Sequence, residues 1–331
     1  MTMTPLILTC IGRRAETHDV VTWQLAPLEG RLPPVLAGQC VTLHTEIDGG
    51  SHSRAYTLSS APHDPFWTVT IKAVGKVSHH LHQSLQVGDT IRVDGPFGEF
   101  NLSALPCDRP LLLSAGSGIT PMWAMLRDEL AKRPDADIRF IHSARSPEDV
   151  IFDRELASLA EAHPGVRHAL VLEEAPVDHP WVGRLTPDML RELAPDLLGR
   201  HVYLCGPAPY MEAVGAMLTE LGLPAGQLHQ ESFGLPATEP TSAPSEHFWL
   251  TLKKSGKRVK ILPGQTLLAA LEEAGEHMLA ACRAGVCGAC RCTTVGAIER
   301  QSLMTLSAHE LESGVALACS CTVRGDVSVD Y

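Results

Sequence analysis

Four cysteines near the end of the chain constrain its fold more than any other feature. Cys282 and Cys287 are separated by four residues, Cys287 and Cys290 by two, and Cys290 and Cys319 by 28. A cluster of two irons and two sulfides needs four thiolates, three from one tight loop and one from elsewhere, and this spacing supplies them. Gly285 and Gly288, lying between the ligands, let the chain turn sharply and bring backbone N–H groups up to the sulfurs. A zinc-stabilised binding module, the competing reading, prefers two C-x2-C pairs, and only one is present. Cys292 and Cys321 fall outside the four-ligand pattern and read as ordinary buried thiols; Cys10, Cys40 and Cys107 read as core or surface thiols.

Ahead of this loop the chain changes character twice. The first hundred residues alternate in short runs, such as Val20–Leu25, Gln39–His44 and Trp67–Lys72, with turns at Asp48-Gly49, Val87-Gly-Asp89 and Gly95-Pro96. That spacing predicts a small antiparallel β-barrel. From residue 108 apolar strands alternate with helices: strands at 110–115, 138–141, 168–172 and 201–205, and helices at 122–131, 152–162, 187–193 and 210–221. Such alternation means a parallel sheet with crossover helices. Three prolines mark 235–246 as an extended linker. A hairpin (248–262) and a helix (266–274) then lead into the cysteine loop. The expected boundaries are 1–106, 107–234, 235–246 and 247–331.

Charge narrows the function. The formal net charge is −11 and aromatics are 5% of residues. A partner bound through phosphates and a stacking platform for single-stranded nucleic acid are both excluded. No apolar run reaches membrane-span length, and Met1–Pro5 lacks the basic-then-apolar pattern of a signal peptide, so a cytoplasmic protein is expected.

Arg54-Ala-Tyr-Thr-Leu-Ser-Ser60 lies on a predicted barrel strand. Alternation sends Arg54, Tyr56 and Leu58 to one side and Ala55, Thr57 and Ser59 to the other. A flavin ring needs an aromatic face, a hydroxyl or amide near its reactive nitrogen and a cation for its phosphate, and Arg54, Tyr56 and Thr57 supply that set. Gly75-Lys-Val-Ser78 precedes a short helix expected over 79–85, a ready anion site. Gly116-Ser-Gly-Ile-Thr-Pro121 opens the helix from Met122. Thr120 is the expected cap, and the glycines let backbone approach a pyrophosphate. Cys205-Gly-Pro207 follows a later strand, and Glu231-Ser-Phe-Gly234 ends the region.

Residues 246–331 resemble a plant-type ferredoxin domain, on the match of 282–290 and Leu317-Ala-Cys-Ser320; this implies a β-grasp (α+β) fold. The order of the earlier motifs resembles the ferredoxin–NADP reductase superfamily, with its R-x-Y-[ST], G-x-x-S, G-x-G-x-T-P and C-G-P segments. The expected fold is therefore multidomain: an antiparallel β-barrel flavin domain, an α/β parallel-sheet nicotinamide domain and a β-grasp ferredoxin domain. By that resemblance Arg54 and Ser78 contact phosphate, Tyr56 stacks and Thr57 hydrogen-bonds the ring. Ile71, Gly75, Val77, Thr120 and Phe233 complete the flavin set. Gly116, Gly118, Thr120, Arg145, Cys205, Gly206 and Pro207 bind the nicotinamide cofactor, with Cys205 beside the carbon that gives up hydride. Cys282, Cys287, Cys290 and Cys319 hold the cluster. The expected cofactors are FAD, ahead of FMN, a [2Fe-2S] cluster and NADH, ahead of NADPH.

In domain order and motif wording the whole chain resembles NADH oxidoreductases of the hybrid-cluster protein reductase type. Reductase components of Rieske-type oxygenases that demethylate glycine betaine, stachydrine or carnitine share nearly all of the motifs. The implied function is an NAD(P)H:acceptor oxidoreductase that passes electrons from NADH through FAD and [2Fe-2S] to a redox protein. Hybrid-cluster protein is the expected acceptor and a Rieske oxygenase the alternative. A redox sensor or cluster-binding module without turnover is the reading of another class, and the intact nicotinamide motifs argue against it. The histidines, His79, His80 and His82 among them, read as surface or structural residues.

Overall fold

The computed structural model describes residues 6–103, 107–233, 247–276, 278, 280, 285, 288–300 and 306–331. The first sheet contains β1 (Leu6–Ala15), β2 (Val20–Pro27), β3 (Cys40–Ile47), β4 (Gly50–Thr57), β5 (Trp67–Lys72) and, after helix α1 (Lys76–Ser84), β6 (Thr90–Phe97). Its six strands run in the order β4-β3-β6-β1-β2-β5, and an antiparallel bridge between Leu58 and Val69 links the two edges. Alternation explains the core: Val21, Trp23 and Leu25 of β2 meet Val69 and Ile71 of β5 inside, while Thr22 and Thr70 face outward. Trp23 donates its indole N–H to the Leu85 carbonyl at 3.1 Å, which ties α1 to the barrel.

The second sheet is parallel. It is built from β7 (Pro110–Ala115), α2 (Ile119–Lys132), β8 (Ile138–Ala144), α3 (Asp153–Ala162), β9 (Val166–Leu172), α4 (Pro187–Leu193), β10 (His201–Cys205), α5 (Ala208–Glu220) and β11 (Leu228–Glu231). The strand order is β11-β10-β7-β8-β9. Every residue of β7 is buried, as expected of a central strand covered on both faces. Apart from Ser53–Ala55, the barrel and this sheet belong to one compact unit. Arg127 of α2 grips Asp64 with two hydrogen bonds of 2.6 and 2.8 Å, and Arg14 of β1 pairs with Glu155 of α3.

The other unit holds β12 (Phe248–Leu252), β13 (Arg258–Ile261), α6 (Leu267–Glu273), β14 (Arg291–Arg300), α7 (Ala308–Glu312), β15 (Val315–Leu317) and β16 (Cys321–Asp330). Its five strands run β13-β12-β16-β14-β15, with β12 parallel to β16 and the other pairs antiparallel. Leu267, Leu268 and Leu271 of α6 are buried, and Thr266 caps the helix by accepting from the Ala269 N–H at 3.2 Å.

Antiparallel barrel, parallel α/β sheet and small α+β domain are thus all present, and local corrections follow from hydrogen bonding. Gly95-Pro96 lies inside β6 and is not a turn between strands. Helix α1 starts at Lys76, three residues before its expected start, so Ser78 sits in its first turn. Helix α2 starts at Ile119, where the Gly116–Gly118 turn runs straight into it. Thr120 is therefore inside the helix, not its cap, and its hydroxyl donates to the Ser117 carbonyl at 3.0 Å. Among the described residues no helix is long and apolar enough to cross a membrane.

Candidate active site

On β4, Arg54 and Tyr56 are half-buried, and Tyr56 packs on the barrel core. Arg54 donates to the Ser53 carbonyl at 2.8 Å. Thr57 is 5% exposed, and its hydroxyl has no hydrogen-bond partner among the described residues. A buried hydroxyl without a partner is costly, so this position suits a bound group that supplies one. Ile71 and Val77 are core residues of the barrel, and the Ile71 carbonyl is engaged by the His82 ring at 2.8 Å, so their side chains pack inward.

Ser78 is committed to its own turn. Its oxygen accepts from the N–H groups of Gly75 at 2.9 Å and Val74 at 3.0 Å, and it donates to the Gly75 carbonyl. This turn sets the start of α1, and the first N–H groups of a helix are in general suited to an anion. His79 bonds the Gly75 carbonyl through its ring, so two histidines of the 79–82 group act structurally.

The nicotinamide motifs meet at the ends of the adjacent strands β7 and β10, where Cys205 pairs with Ser114. A Cβ placed on Gly118 would lie 2.3 Å from the Cys205 carbonyl oxygen and 2.7 Å from the Gly206 nitrogen. Gly118 is thus required for the Gly116–Thr120 turn to pack against Cys205–Gly206, a different reason from the ligand approach expected of it. Gly116 takes a φ of 51°.

Cys205 is 0% exposed, and burial, with Glu231 beside it, pushes its thiol well up, so it stays protonated. Glu231, its register partner on β11, is 1% exposed. In the sequence this glutamate reads only as the end of the domain. Its place after a strand following Cys-Gly-Pro was the available signal, and only the parallel pairing reveals that it is buried at the thiol. Phe233 is 37% exposed just beyond β11. Arg145 stands apart: it follows β8, is largely exposed and faces Glu174 at 3.5 Å.

In the cysteine loop Cys282 and Cys287 lie outside the described residues. Cys290 and Cys319 are buried at 2% and 9% exposure. The Cys319 N–H donates to Cys290 Sγ at 3.5 Å, and the Gly285 N–H donates to Cys319 Sγ at 3.1 Å. Gly285 and Gly288 have φ of 74° and 70°, the left-handed turns that bring the backbone donors to sulfur. Converging N–H groups stabilise a negative sulfur, which fits thiolate ligands. Cys292 and Cys321 differ: both are buried, and burial pushes each thiol up to about 12, where it remains S–H.

Three family models match the chain in the order of these sites. They are an oxidoreductase FAD-binding domain over residues 14–102, an oxidoreductase NAD-binding domain over 112–215 and a 2Fe-2S iron-sulfur cluster binding domain over 250–324. The chain is similar to the glycine betaine monooxygenase reductase subunit of Pseudomonas aeruginosa, 35% identical over 98% of this chain and 95% of the relative. It is also similar to the NADH oxidoreductase HCR of Escherichia coli, 35% identical over 94% of this chain and 93% of that one. Among solved structures, phthalate dioxygenase reductase matches with a TM-score of 0.71 and 25% identity, over 99% of this chain and 98% of that one.

Proposed function

We propose, for a chain that belongs to the family of iron–sulfur flavoprotein reductases with FAD-binding, NAD-binding and 2Fe-2S domains in series, that its acceptor is the metal centre of a partner oxygenase. The chain is an oxidoreductase in which electrons pass from NADH to FAD to [2Fe-2S]. The observation that carries the acceptor is the end-to-end likeness to the glycine betaine monooxygenase reductase subunits. The motifs alone ranked hybrid-cluster protein first; equal identity to the HCR oxidoreductase keeps it as the second reading. The test is to mix NADH-reduced protein with each acceptor without oxygen and follow the acceptor's own absorbance. Fast reduction of a Rieske-type oxygenase centre is expected, and fast reduction of hybrid-cluster protein alone would reverse the assignment.

The flavin, when bound, splits the two electrons of a hydride into single ones that the cluster relays. The protein's part is positioning. Arg54 and the start of α1 would hold phosphate, Tyr56 and Phe233 would flank the ring, and the unpartnered Thr57 hydroxyl would bond it. Gly116–Thr120 and Gly206–Pro207 would hold the nicotinamide cofactor. Their contact across Gly118 fixes neutral Cys205 and buried Glu231 beside these segments, where they would border the nicotinamide. Cys282, Cys287, Cys290 and Cys319 would ligate the cluster. The domain limits that fit these sites are 1–106, 107–234 and 247–331, with 235–246 as the linker.

NADH is favoured over NADPH by charge. Arg145, the one cation expected to meet a 2′-phosphate, already faces Glu174, and Glu148 and Asp149 follow it. A kcat/KM ratio favouring NADH is expected; a ratio favouring NADPH would refute this.

A further inference from the structure

The segment that follows Tyr56 and Thr57 is held firmly. Residues 58–61 are buried, at 1–2% exposure. The Ser59 N–H donates to the Thr68 carbonyl at 2.9 Å, and the Ser60 hydroxyl accepts from the Thr68 N–H at 3.0 Å. Asp64 closes the turn beyond them. Its carboxylate accepts from the Ala61 N–H at 2.9 Å, and its own N–H donates to the Ala61 carbonyl at 3.0 Å. The same carboxylate takes both hydrogen bonds from Arg127, at 2.6 and 2.8 Å. Burial works against its ionised form, but the Arg127 hydrogen bonds, the Ala61 N–H and the Arg127 charge hold the carboxyl below the usual range, so it is ionised at neutral pH. A two-pronged pair of this kind fixes direction as well as distance.

Arg127 lies on α2, the helix that the Gly116–Gly118 turn runs into. Thr120, Trp123 and Arg127 follow one another at steps of three and four residues, so they share one face of that helix. Arg127 stands two turns, about 10 Å, beyond Thr120. Trp123 between them is 8% exposed, and the Arg127 guanidinium carbon lies 5.7 Å from its ring centre. Phe152 stacks on Trp123 with ring centres 5.3 Å apart and 26° between the planes. Phe152 itself has a φ of 61°, a left-handed conformation that a bulky residue keeps only where its surroundings over-determine it. It ends the segment that leaves β8 by way of Arg145.

Asp64, Arg127, Trp123 and Phe152 thus touch in series. They join the turn behind Thr57 to the two segments, 116–120 and 145–152, that follow β7 and β8. We propose that this tie sets the distance and angle between nicotinamide and flavin, with Arg127 as a positioning residue for hydride transfer. The proposal rests on the flavin lying at Tyr56 and Thr57 and the nicotinamide at Gly116–Thr120, as inferred above. Each cofactor segment fixes one ring, and the tie fixes one segment against the other. Hydride transfer needs its reacting atoms about 3–3.5 Å apart, and a shift of about 1 Å can cost about a hundredfold in rate.

The test is rapid mixing of the full-length holoprotein with NADH in the absence of oxygen, for the parent, Arg127→Gln, Asp64→Asn and the double variant. Asparagine keeps an oxygen for the Ala61 N–H, so the turn is retained. In each single variant the saturating rate of flavin bleaching is expected to fall about tenfold, with the half-saturating NADH concentration moving less than about twofold. Flavin occupancy and bleaching by dithionite, which bypasses the nicotinamide, are expected to stay at the parent level. The double variant is expected to be no slower than the slower single one, because both changes remove the same pair. Arg127→Lys, which keeps the charge without the fork, is expected to lie between Arg127→Gln and the parent. A lowered Tm with the parent's saturating rate would make the tie structural only and overturn the proposal. Losses that multiply in the double variant would overturn it as well, since the two residues would then act apart. A parent bleached by dithionite and not by NADH would remove the nicotinamide site and the tie with it, whereas an NADH-reducible parent with unchanged variants removes the tie alone.

Discussion

At the residue scale, the site is made of side chains whose environments contradict their solution behaviour. Cys205 is a thiol held protonated by burial beside a buried carboxylate, and Thr57 is a hydroxyl buried without a partner among the described residues. Arg54 is the one guanidinium on β4, and a guanidinium offers the forked donors a phosphate needs. Arg54→Ala is expected to lower the flavin-to-protein ratio after gel filtration; full occupancy would remove Arg54 from the flavin site. These residue types were legible because each sits in a short motif. Glu231 was not, because its role depends on a register partner, Cys205, 26 positions away in the sequence.

At the element scale, packing between strand ends decides what the glycines do. Gly118 permits the contact of the Gly116–Thr120 turn with Cys205–Gly206. A methyl group there meets backbone, which cannot rotate aside. Gly118→Ala is expected to cost about 1–3 kcal/mol and lower the Tm of the flavin and nicotinamide unit. An unchanged Tm would mean the two segments part easily. The parallel sheet also carries a pH signature. His142 on β8 is 0% exposed and bonds Ser114 at 2.9 Å; burial and neighbouring His168 pull its ring down to about 3. His168 is shifted the same way, chiefly by burial. In the unfolded chain these rings titrate near 6.5. Below that pH only the unfolded state binds the proton. Stability is therefore complete above about pH 6.5 and is lost toward pH 3, by at most about 1.4 kcal/mol per pH unit for His142. Denaturant unfolding at pH 7 and pH 5 should show the loss, and His142→Gln should reduce it. An equal loss in the variant would assign the acid limb to other groups.

At the scale of the whole molecule, the two units divide the chemistry: hydride handling in one, single-electron relay in the other. Cys290→Ser is expected to abolish the cluster's visible absorbance and the reduction of cytochrome c, while ferricyanide reduction through the flavin continues. Cytochrome c reduction at the parent rate would show that electrons can leave without the cluster. The sequence by itself determined the three-part architecture, because strand period, strand–helix alternation and cysteine spacing are local patterns that need no partner to be read. It also determined the cofactor set, since each cofactor imposes residue types at short, fixed spacing. Only the tertiary structure decided why Gly118 must be glycine, that Glu231 meets Cys205, and that Ser78 and Thr120 serve their own turns. Each of these depends on which strands lie side by side. Strand pairing follows from burial over the whole domain, and no short stretch of sequence contains it.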